Sequence, residues 1–170
     1  MPPLPGKGVA MPEVRSTMVE AVLFRRTAGH PEYLLLRRAA HETVYPGMWQ
    51  IITGTLDQGE TALAGAGREI GEETGIRPIR FWVVPHISSF YDHRYDRISL
   101  IPVFAAEVPA KTDPTLSDEH DAWIWLPFAE ARDRLVWPSQ REGLRVVNEF
   151  IAGGGGGAGL VEVPSPATDG

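Results

Sequence analysis

One stretch, residues 54–76 (GTLDQGETALAGAGREIGEETGI), constrains this chain of 170 residues more than any other part of it. Its informative positions are Gly54, Glu60, Arg68, Glu69, Ile70, Glu72, Glu73, Gly75 and Ile76. At background residue usage, these positions would coincide by chance at roughly one start in a billion. The pattern is therefore a signal that needs a chemical explanation.

The middle of this stretch has the spacing of a helix. Within residues 61–74, apolar side chains recur at steps of three and four residues, as Leu63, Ala66 and Ile70. This periodicity predicts a helix with one buried face, and Gly75 stands where a left-handed C-cap residue is expected.

The acidic residues of the stretch are predicted to share the opposite helix face. Glu69, Glu72 and Glu73 are i, i+3 and i+4 neighbours, and Glu60 lies near the first turn. Carboxylates this close repel one another, and a divalent cation that takes oxygen ligands, Mg²⁺ or Mn²⁺, would relieve the repulsion. Arg68 can hold one carboxylate in a bidentate contact.

Three glycines, Gly65, Gly67 and Gly71, fall inside the predicted helix. Each costs about 1 kcal/mol relative to alanine, so helix stability alone does not explain them. Close packing against a neighbouring strand or loop is one explanation. A solvated acidic helix face is the simplest alternative reading of the glutamates, but it explains neither the glycines nor Arg68.

These residues resemble the Nudix box at every defining position. The resemblance implies an α/β fold, an α/β/α sandwich with a mixed central sheet, in which a loop-helix-loop binds metal and hydrolyses a nucleoside diphosphate linked to another group. It implies metal ligands at Glu69, Glu72 and Glu73, of which Glu69 and Glu72 are also catalytic and Glu69 is a candidate base. It also implies that Glu60 and Arg68 hold the motif together, and Arg68 is counted among the candidate catalytic residues. Gly54 is expected to place its backbone beside the metal, and Gly54 and Gly75 to shape the motif.

Composition limits the remaining possibilities. The chain contains no cysteine, which excludes a thiol nucleophile and argues against the isomerase relatives that depend on cysteine chemistry. A net charge of −6 offers no general attraction for nucleic acid or an anionic membrane, so an mRNA decapping role is disfavoured. No run of about 18 apolar residues occurs, and we expect a soluble, cytoplasmic protein.

The domain organisation follows from local composition. Residues 1–13 are rich in proline and glycine and are predicted to be a flexible lead-in. Residues 14–152 are predicted to form one Nudix domain. Residues 153–170 begin with a run of five glycines and are predicted to be a disordered tail.

Three strands are predicted in the segment that precedes the box. Residues 18–24 and 33–36 read as strands joined by a turn, and residues 47–53 as a short buried strand. Arg37 and Arg38 follow the second strand, where they could reach phosphates or remain solvated surface charges. Trp49 is a candidate substrate contact, with a role in the core as the alternative.

The sequence order Trp49, Gln50, then Thr53 and Gly54 resembles the order found in a bacterial branch of the family. Members of that branch hydrolyse dihydroneopterin triphosphate and dATP. Diadenosine tetraphosphate hydrolases share the tryptophan and the glutamine, but the continuation usual in that branch is missing here.

A polar loop is predicted at residues 88–96, between strands at 79–87 and 98–108. Tyr91 and Arg94 in this loop could stack on a base or pterin ring and hold a phosphate. A hairpin whose aromatic residues make no ligand contact is the alternative.

Near the end of the domain, Glu119 precedes a strand predicted at 122–126, and helices are predicted at 127–135 and 138–151. Family members often place a further metal ligand or base in this loop, so the resemblance makes Glu119 a candidate for either role. A solvated acidic loop is the alternative.

The function expected from the resemblance is a Mg²⁺-dependent pyrophosphohydrolase that cleaves a nucleoside or pteridine triphosphate to a monophosphate and pyrophosphate, with Mn²⁺ as a second candidate ion. Three alternatives stay open: a dinucleoside polyphosphate hydrolase, a nucleotide-sugar or oxidised-nucleotide hydrolase, and a non-catalytic module that binds a nucleotide. The expected partner is a small nucleotide-like molecule, and a homodimer is left open.

Overall fold

A computed structural model describes residues 11–166 of the chain. The strands in this range are Glu13–Arg15 (β1), Met18–Thr27 (β2), His30–Arg38 (β3), Trp49–Gln50 (β4), Ile52–Thr55 (β5), Arg80–Asp92 (β6), Arg97–Glu107 (β7), His120–Pro127 (β8) and Glu162–Val163 (β9). The α-helices are Ala62–Thr74 (α1), Phe128–Arg134 (α2), Pro138–Val146 (α3) and Ala158–Val161 (α4), and a π-helical segment, Val147–Ala152, continues α3.

The strands form one mixed sheet, as the resemblance implies. Its central order is β4-β3-β2-β7-β6-β9, while β1 pairs with β7, β5 with β2 and β8 with β3. The pairs β2–β7 and β1–β7 are parallel, and the other pairs are antiparallel. Strand β3 pairs with β8 along one edge and with β2 and then β4 along the other, which brings distant parts of the chain together.

Alternating residues of β2 build the two halves of the core. Val22 and Phe24 pack on the face covered by Leu144 of α3. Leu23, one position away, packs on the opposite face with Ile70 of α1. Because side chains alternate across a strand, one apolar strand supplies both faces of the sandwich.

Helix α1 begins and ends as the sequence predicts. The Thr61 hydroxyl accepts a hydrogen bond from the Ala64 N–H (3.2 Å) and caps the first turn. Gly75 ends the helix in the left-handed conformation, with φ of 66°. A Cβ at Gly65 would lie 2.4 Å from Leu56 Cδ2, so close packing explains this glycine in the helix interior.

The segment predicted as a polar loop at 88–96 is mostly strand. Strand β6 runs to Asp92 and β7 begins at Arg97, leaving residues 93–96 as the turn. Cross-strand pairing continues to Asp92 and Arg97, and Asp92 caps the turn by accepting the Arg94 N–H (3.0 Å). The polar residues are in a hairpin exposed to solvent, so their strands lack the apolar alternation that marks a strand in sequence.

Residues 153–166 contain helix α4 and strand β9, where the sequence predicts a disordered tail. Helix α4 follows the glycines, and β9 pairs with β6 through Phe81↔Val163 and Trp82↔Glu162. Arg80 adds a bidentate contact to Glu162, with nitrogen–oxygen distances of 2.9 and 2.7 Å. Residues 1–10 and 167–170 lie outside the described part, and for them the predicted flexibility stays a prediction.

The two helices predicted near the end of the domain are present. Pro138 is the first residue of α3, where its missing N–H costs no hydrogen bond, whereas Pro127 is the N-cap of α2. None of the helices within residues 11–166 is long and apolar enough to cross a membrane.

Candidate active site

The site is built where strand β5 meets helix α1. A Cβ atom at Gly54 would lie 1.9 Å from Cδ of Glu69, a separation that real atoms do not reach. Glycine at position 54 therefore lets the Glu69 carboxylate lie directly against the strand backbone. This is the close backbone approach for which glycine is suited.

Arg68 connects the loop before α1 to the helix itself. Its guanidinium donates to both oxygens of Glu60 (2.9 and 3.0 Å), to the Thr55 carbonyl (2.9 Å) and to Glu72 Oε2 (2.8 Å). Glu69 Oε1 lies 3.0 Å from the same guanidinium. The hydrogen bond from Arg68 holds the pKa of Glu60 below its ordinary value, so this pair is ionised near neutral pH.

Glu60 in turn closes the loop. One of its oxygens accepts a hydrogen bond from the Asp57 backbone N–H (2.9 Å) while Arg68 binds the carboxylate. Through Glu60 and Arg68 the loop before α1 is thus joined to the helix.

Glu73 is the most buried carboxylate of the group. Its side chain is 4% exposed, and its Oε2 is buried without any hydrogen-bond partner among the described residues. Burial, together with the charges of Glu69 and Glu119, raises the pKa of Glu73 to about 9. A buried carboxylate without a donor is unfavourable, and either the proton that the raised pKa retains or a bound cation would relieve it.

The loop that carries Glu119 is fastened to the end of α1. The Thr115 N–H donates to the Thr74 carbonyl (2.8 Å), and the Ala39 N–H donates to the Glu119 carbonyl (2.8 Å). Burial raises the pKa of Glu69, and the charges of Glu72 and Glu119 raise it further. Glu119, 50 positions after Glu69 in the chain, thus lies within electrostatic reach of the helix carboxylates.

Glu72 differs from its two neighbours in this conformation. Its side chain is 59% exposed and turned to Arg68, whereas Glu69 and Glu73 are largely covered. Within residues 11–166, no three His, Asp or Glu side chains converge tightly enough to enclose an ion. The donor set nonetheless fits a hard cation, because the charge of Glu119 raises the pKa of both Glu69 and Glu73, and Glu73 Oε2 has no donor among the described residues.

Three of the predicted substrate contacts are on or beside β3 and β4. The Arg37 guanidinium lies 5.8 Å from the Trp49 ring centre and forms an ion pair with Asp121 (2.6 Å). Arg38 donates to the Val44 carbonyl (2.8 Å), and its charge lowers the pKa of Glu73, which places it near the carboxylates.

The other two, Tyr91 and Arg94, are on the β6–β7 hairpin. The Tyr91 hydroxyl donates to Asp96 (2.9 Å), and Arg94 forms a bidentate contact with Asp92 (2.9 and 2.8 Å). The hydrogen bonds of these two side chains within the described part are local to the hairpin, and none joins them to the carboxylates of α1.

Sequence reasoning did not give a role to a buried pair behind Glu73. Gln50 and His120 are 6% and 4% exposed, and Gln50 Nε2 lies 3.3 Å from His120 Nε2. His120 Nδ1 lies 3.9 Å from Glu73 Oε2. Burial and the Arg38 charge lower the pKa of His120 to about 4, so the ring is neutral. The available signal was that His120 directly follows Glu119 at the start of a strand.

Comparison with known proteins agrees with this geometry. The NUDIX domain model matches residues 16–147, and the chain therefore belongs to the Nudix hydrolase family. The recognition made from residues 54–76 and the fold that it implied are thus confirmed.

Curated relatives extend this result. An octanoyltransferase of Myxococcus xanthus is 33% identical over 78% of this chain, and an 8-oxo-(d)GTP phosphatase of Mycolicibacterium smegmatis is 33% identical over 70%. This chain spans about a third of the length of these two relatives, 36% and 35%. The nucleoside triphosphatase NudI of Klebsiella pneumoniae is 30% identical over 62% of this chain and 78% of that protein.

Solved structures show the same fold. The Ap4A hydrolase of C. elegans, in a binary complex, superposes with a TM-score of 0.67 at 24% identity, covering 82% of this chain and 99% of that one. The dihydroneopterin triphosphate pyrophosphohydrolase of E. coli gives 0.63 at 21% identity, with coverage of 82% and 99%. At these identities the likeness concerns the fold.

Proposed function

We propose that this chain is a Mg²⁺-dependent pyrophosphohydrolase that cleaves a nucleoside or pteridine triphosphate to a monophosphate and pyrophosphate. The observation that carries the proposal is the buried Glu73 carboxylate, whose Oε2 has no donor within residues 11–166 and whose pKa is raised by the charges of Glu69 and Glu119. The likeness to NudI and to the 8-oxo-(d)GTP phosphatase supports a triphosphate substrate.

The ion-binding residues in this proposal are Glu69, Glu72, Glu73 and Glu119, with the Gly54 backbone beside them. A bound Mg²⁺, or Mn²⁺ in its place, supplies neutralisation of phosphate charge and a more acidic water. Hard oxygen ligands suit either ion. Glu72 takes part in ion binding in exchange for its contact with Arg68.

The reaction itself is a displacement at phosphorus. The oxygen of a water forms a bond to phosphorus, the bond between phosphorus and the bridging oxygen breaks, and pyrophosphate leaves. Glu69 or Glu119 accepts the proton that the water loses. Arg68 holds the loop before α1 in a fixed position relative to the helix, since it binds both Glu60 and the Thr55 carbonyl.

Substrate binding is assigned to residues on the β3–β4 side of the site. Arg37 and Arg38 bind phosphate oxygens, and the Trp49 ring, which has Arg37 at 5.8 Å and Arg134 at 5.3 Å, offers a face to the base or pterin. Arg37 and Arg38 exchange their present partners, Asp121 and Glu42, for phosphate. Tyr91 and Arg94 are placed last among the predicted contacts, because none of their hydrogen bonds within the described part reaches the carboxylates of α1.

The test is release of pyrophosphate and orthophosphate from a panel of substrates, with Mg²⁺ and with chelator. The panel contains the canonical nucleoside triphosphates, 8-oxo-dGTP, dihydroneopterin triphosphate, diadenosine tetraphosphate, ADP-ribose and a nucleotide sugar. Chelator-sensitive pyrophosphate release from a triphosphate is expected. Faster production of ATP and AMP from diadenosine tetraphosphate would replace the proposal with the dinucleoside alternative, and nucleotide binding without turnover would replace it with a regulator.

Two variants connect the activity to the site. Glu73→Gln and Glu69→Gln are expected to lower turnover by orders of magnitude while melting temperatures do not fall below that of the wild type. Glu130→Gln, on an exposed position of α2, is the matched control and is expected to have the wild-type rate. Wild-type rates in both site variants would remove the ion-binding assignment.

A further inference from the structure

Three buried side chains form a continuous line behind the carboxylate cluster. Gln50 of β4, His120 of β8 and Glu73 of α1 are 6%, 4% and 3% exposed. The Gln50 amide nitrogen lies 3.3 Å from His120 Nε2, and His120 Nδ1 lies 3.9 Å from Glu73 Oε2. Polar side chains buried to this degree are normally explained by the contacts they make to one another.

The first contact determines where the histidine carries its hydrogen. The amide nitrogen of Gln50 can donate but cannot accept a hydrogen bond. His120 Nε2 must therefore be the acceptor, and a neutral imidazole that accepts at Nε2 carries its hydrogen on Nδ1. Gln50 thus selects the Nδ1–H tautomer of the ring.

In the selected tautomer, the Nδ1 hydrogen of His120 lies on the side of the ring next to Glu73. His120 Nδ1 and Glu73 Oε2 are both buried, and neither has a hydrogen-bond partner within the described residues. Nδ1 is a donor in the selected tautomer, and Oε2 is an acceptor in the ionised carboxylate, the form of Glu73 that binds an ion. Their separation of 3.9 Å exceeds a hydrogen bond, and a shift of about 1 Å by the Glu73 carboxylate closes it.

We propose that His120, held in its Nδ1–H tautomer by Gln50, is the positioning residue that orients the Glu73 carboxylate for ion binding. The inference rests on the proposed function to the extent that Glu73 is taken as a ligand. Hydrogen-bonded partners of metal ligands commonly contribute 10–100-fold in metal affinity or activity, about the size of the effect expected here.

Isosteric variants of His120 separate orientation from simple packing. Asparagine places an amide N–H near the position of Nδ1, whereas glutamine places one near the position of Nε2. We expect His120→Asn to bind Mn²⁺ close to the wild-type affinity in calorimetric titration. His120→Gln and His120→Leu are expected to weaken binding about 10-fold or more. Equal affinity in all three variants would refute the proposal.

A variant of Gln50 tests the tautomer directly. Gln50→Glu has the same shape, but its ionised carboxylate can only accept, so it requires a hydrogen on His120 Nε2. The ¹⁵N resonances of the His120 ring in the ion-free protein distinguish the two tautomers. We expect Nδ1–H in the wild type and in a control, His86→Asn, and Nε2–H in Gln50→Glu. Finding Nε2–H in the wild type would refute the proposal even if a variant fails to fold.

The combined measurements tell a failed positioning role from a failed function. If Glu73→Gln binds Mn²⁺ as tightly as the wild type, Glu73 is not a ligand and the proposed function loses its basis. If Glu73→Gln loses Mn²⁺ while His120→Leu retains it, the function stands and the positioning role is wrong. Weakened binding in both, with recovery in His120→Asn, supports both proposals.

Discussion

Gly54 and Glu69 are in contact across the junction of β5 and α1, and a Cβ on residue 54 would lie 1.9 Å from Glu69 Cδ. The contact requires the absence of a side chain at one position and a long carboxylate at the other. It explains physically why a glycine stands 15 positions before the first helix glutamate of the box.

This contact predicts the effect of the smallest possible change. Gly54→Ala is expected to destabilise the fold by about 1–3 kcal/mol through overpacking and to reduce turnover, because Glu69 must move. Gly159→Ala is the control, since a Cβ there meets nothing within 4 Å. Denaturant unfolding and initial rates check both variants, and equal stability of Gly54→Ala and the wild type would contradict the prediction.

The contacts of the Arg68 guanidinium predict that lysine cannot replace arginine at this position. Arg68→Lys retains the charge but loses the fork that binds both oxygens of Glu60 together with the Thr55 carbonyl. We expect turnover to fall about 10-fold or more and the melting temperature to fall by a few degrees. Arg132→Lys, whose hydrogen bonds go to the exposed neighbour Asp133, is the control. A wild-type rate for Arg68→Lys would show that the charge alone is sufficient.

The raised pKa of Glu73 predicts a pH dependence of stability in the ion-free protein. The folded state holds the proton up to about pH 9, whereas the unfolded carboxyl loses it near its ordinary value of 4.5. The stabilisation is therefore complete below the unfolded pKa and is lost as pH rises toward 9, by at most about 1.4 kcal/mol per pH unit.

Glu73→Gln isolates this contribution, because glutamine does not titrate. The difference in unfolding free energy between the variant and the wild type is expected to grow in favour of the variant from pH 5 to pH 9. Urea unfolding at a series of pH values measures it. A difference that is constant with pH would contradict the raised pKa.

The ordered tail predicts a stability effect far from the active site. Val161 and Val163 are half-buried, and β9 extends the sheet beside Phe81. Removing residues 158–170 is expected to lower the free energy of unfolding by about 2 kcal/mol or more. Leu160→Ala is the control, since that side chain is 82% exposed. Unchanged stability of the shortened chain would show that the pairing of β9 contributes nothing.

The parts of the structure that were predicted from sequence are those with a local cause. Helix α1 is predictable from the spacing of its apolar residues and from Gly75, which takes the left-handed conformation expected of a C-cap. The charges of Glu69 and Glu73 are neighbours on one helix, so their interaction requires no knowledge of tertiary structure.

The parts that were missed depend on pairing between distant segments. Gln50 and His120 are 70 residues apart, and they meet because β3 has β4 on one edge and β8 on the other. Five consecutive glycines favour coil by composition, but Val163 pairs with Phe81 of a strand 82 residues earlier. Neither pairing can be recognised from a short stretch of sequence, because the residues that meet are far apart in the chain.

The pairing of β9 with β6 has a consequence for the behaviour of the protein at high concentration. An uncovered strand edge presents free N–H and C=O groups that can pair with another molecule. Strand β9 occupies the edge of β6 at Phe81 and Trp82, and the Arg80–Glu162 contact fastens it there. The glycine-rich segment thus ends the sheet in an edge strand of two residues, and very short edge strands are one way in which proteins limit edge-to-edge association.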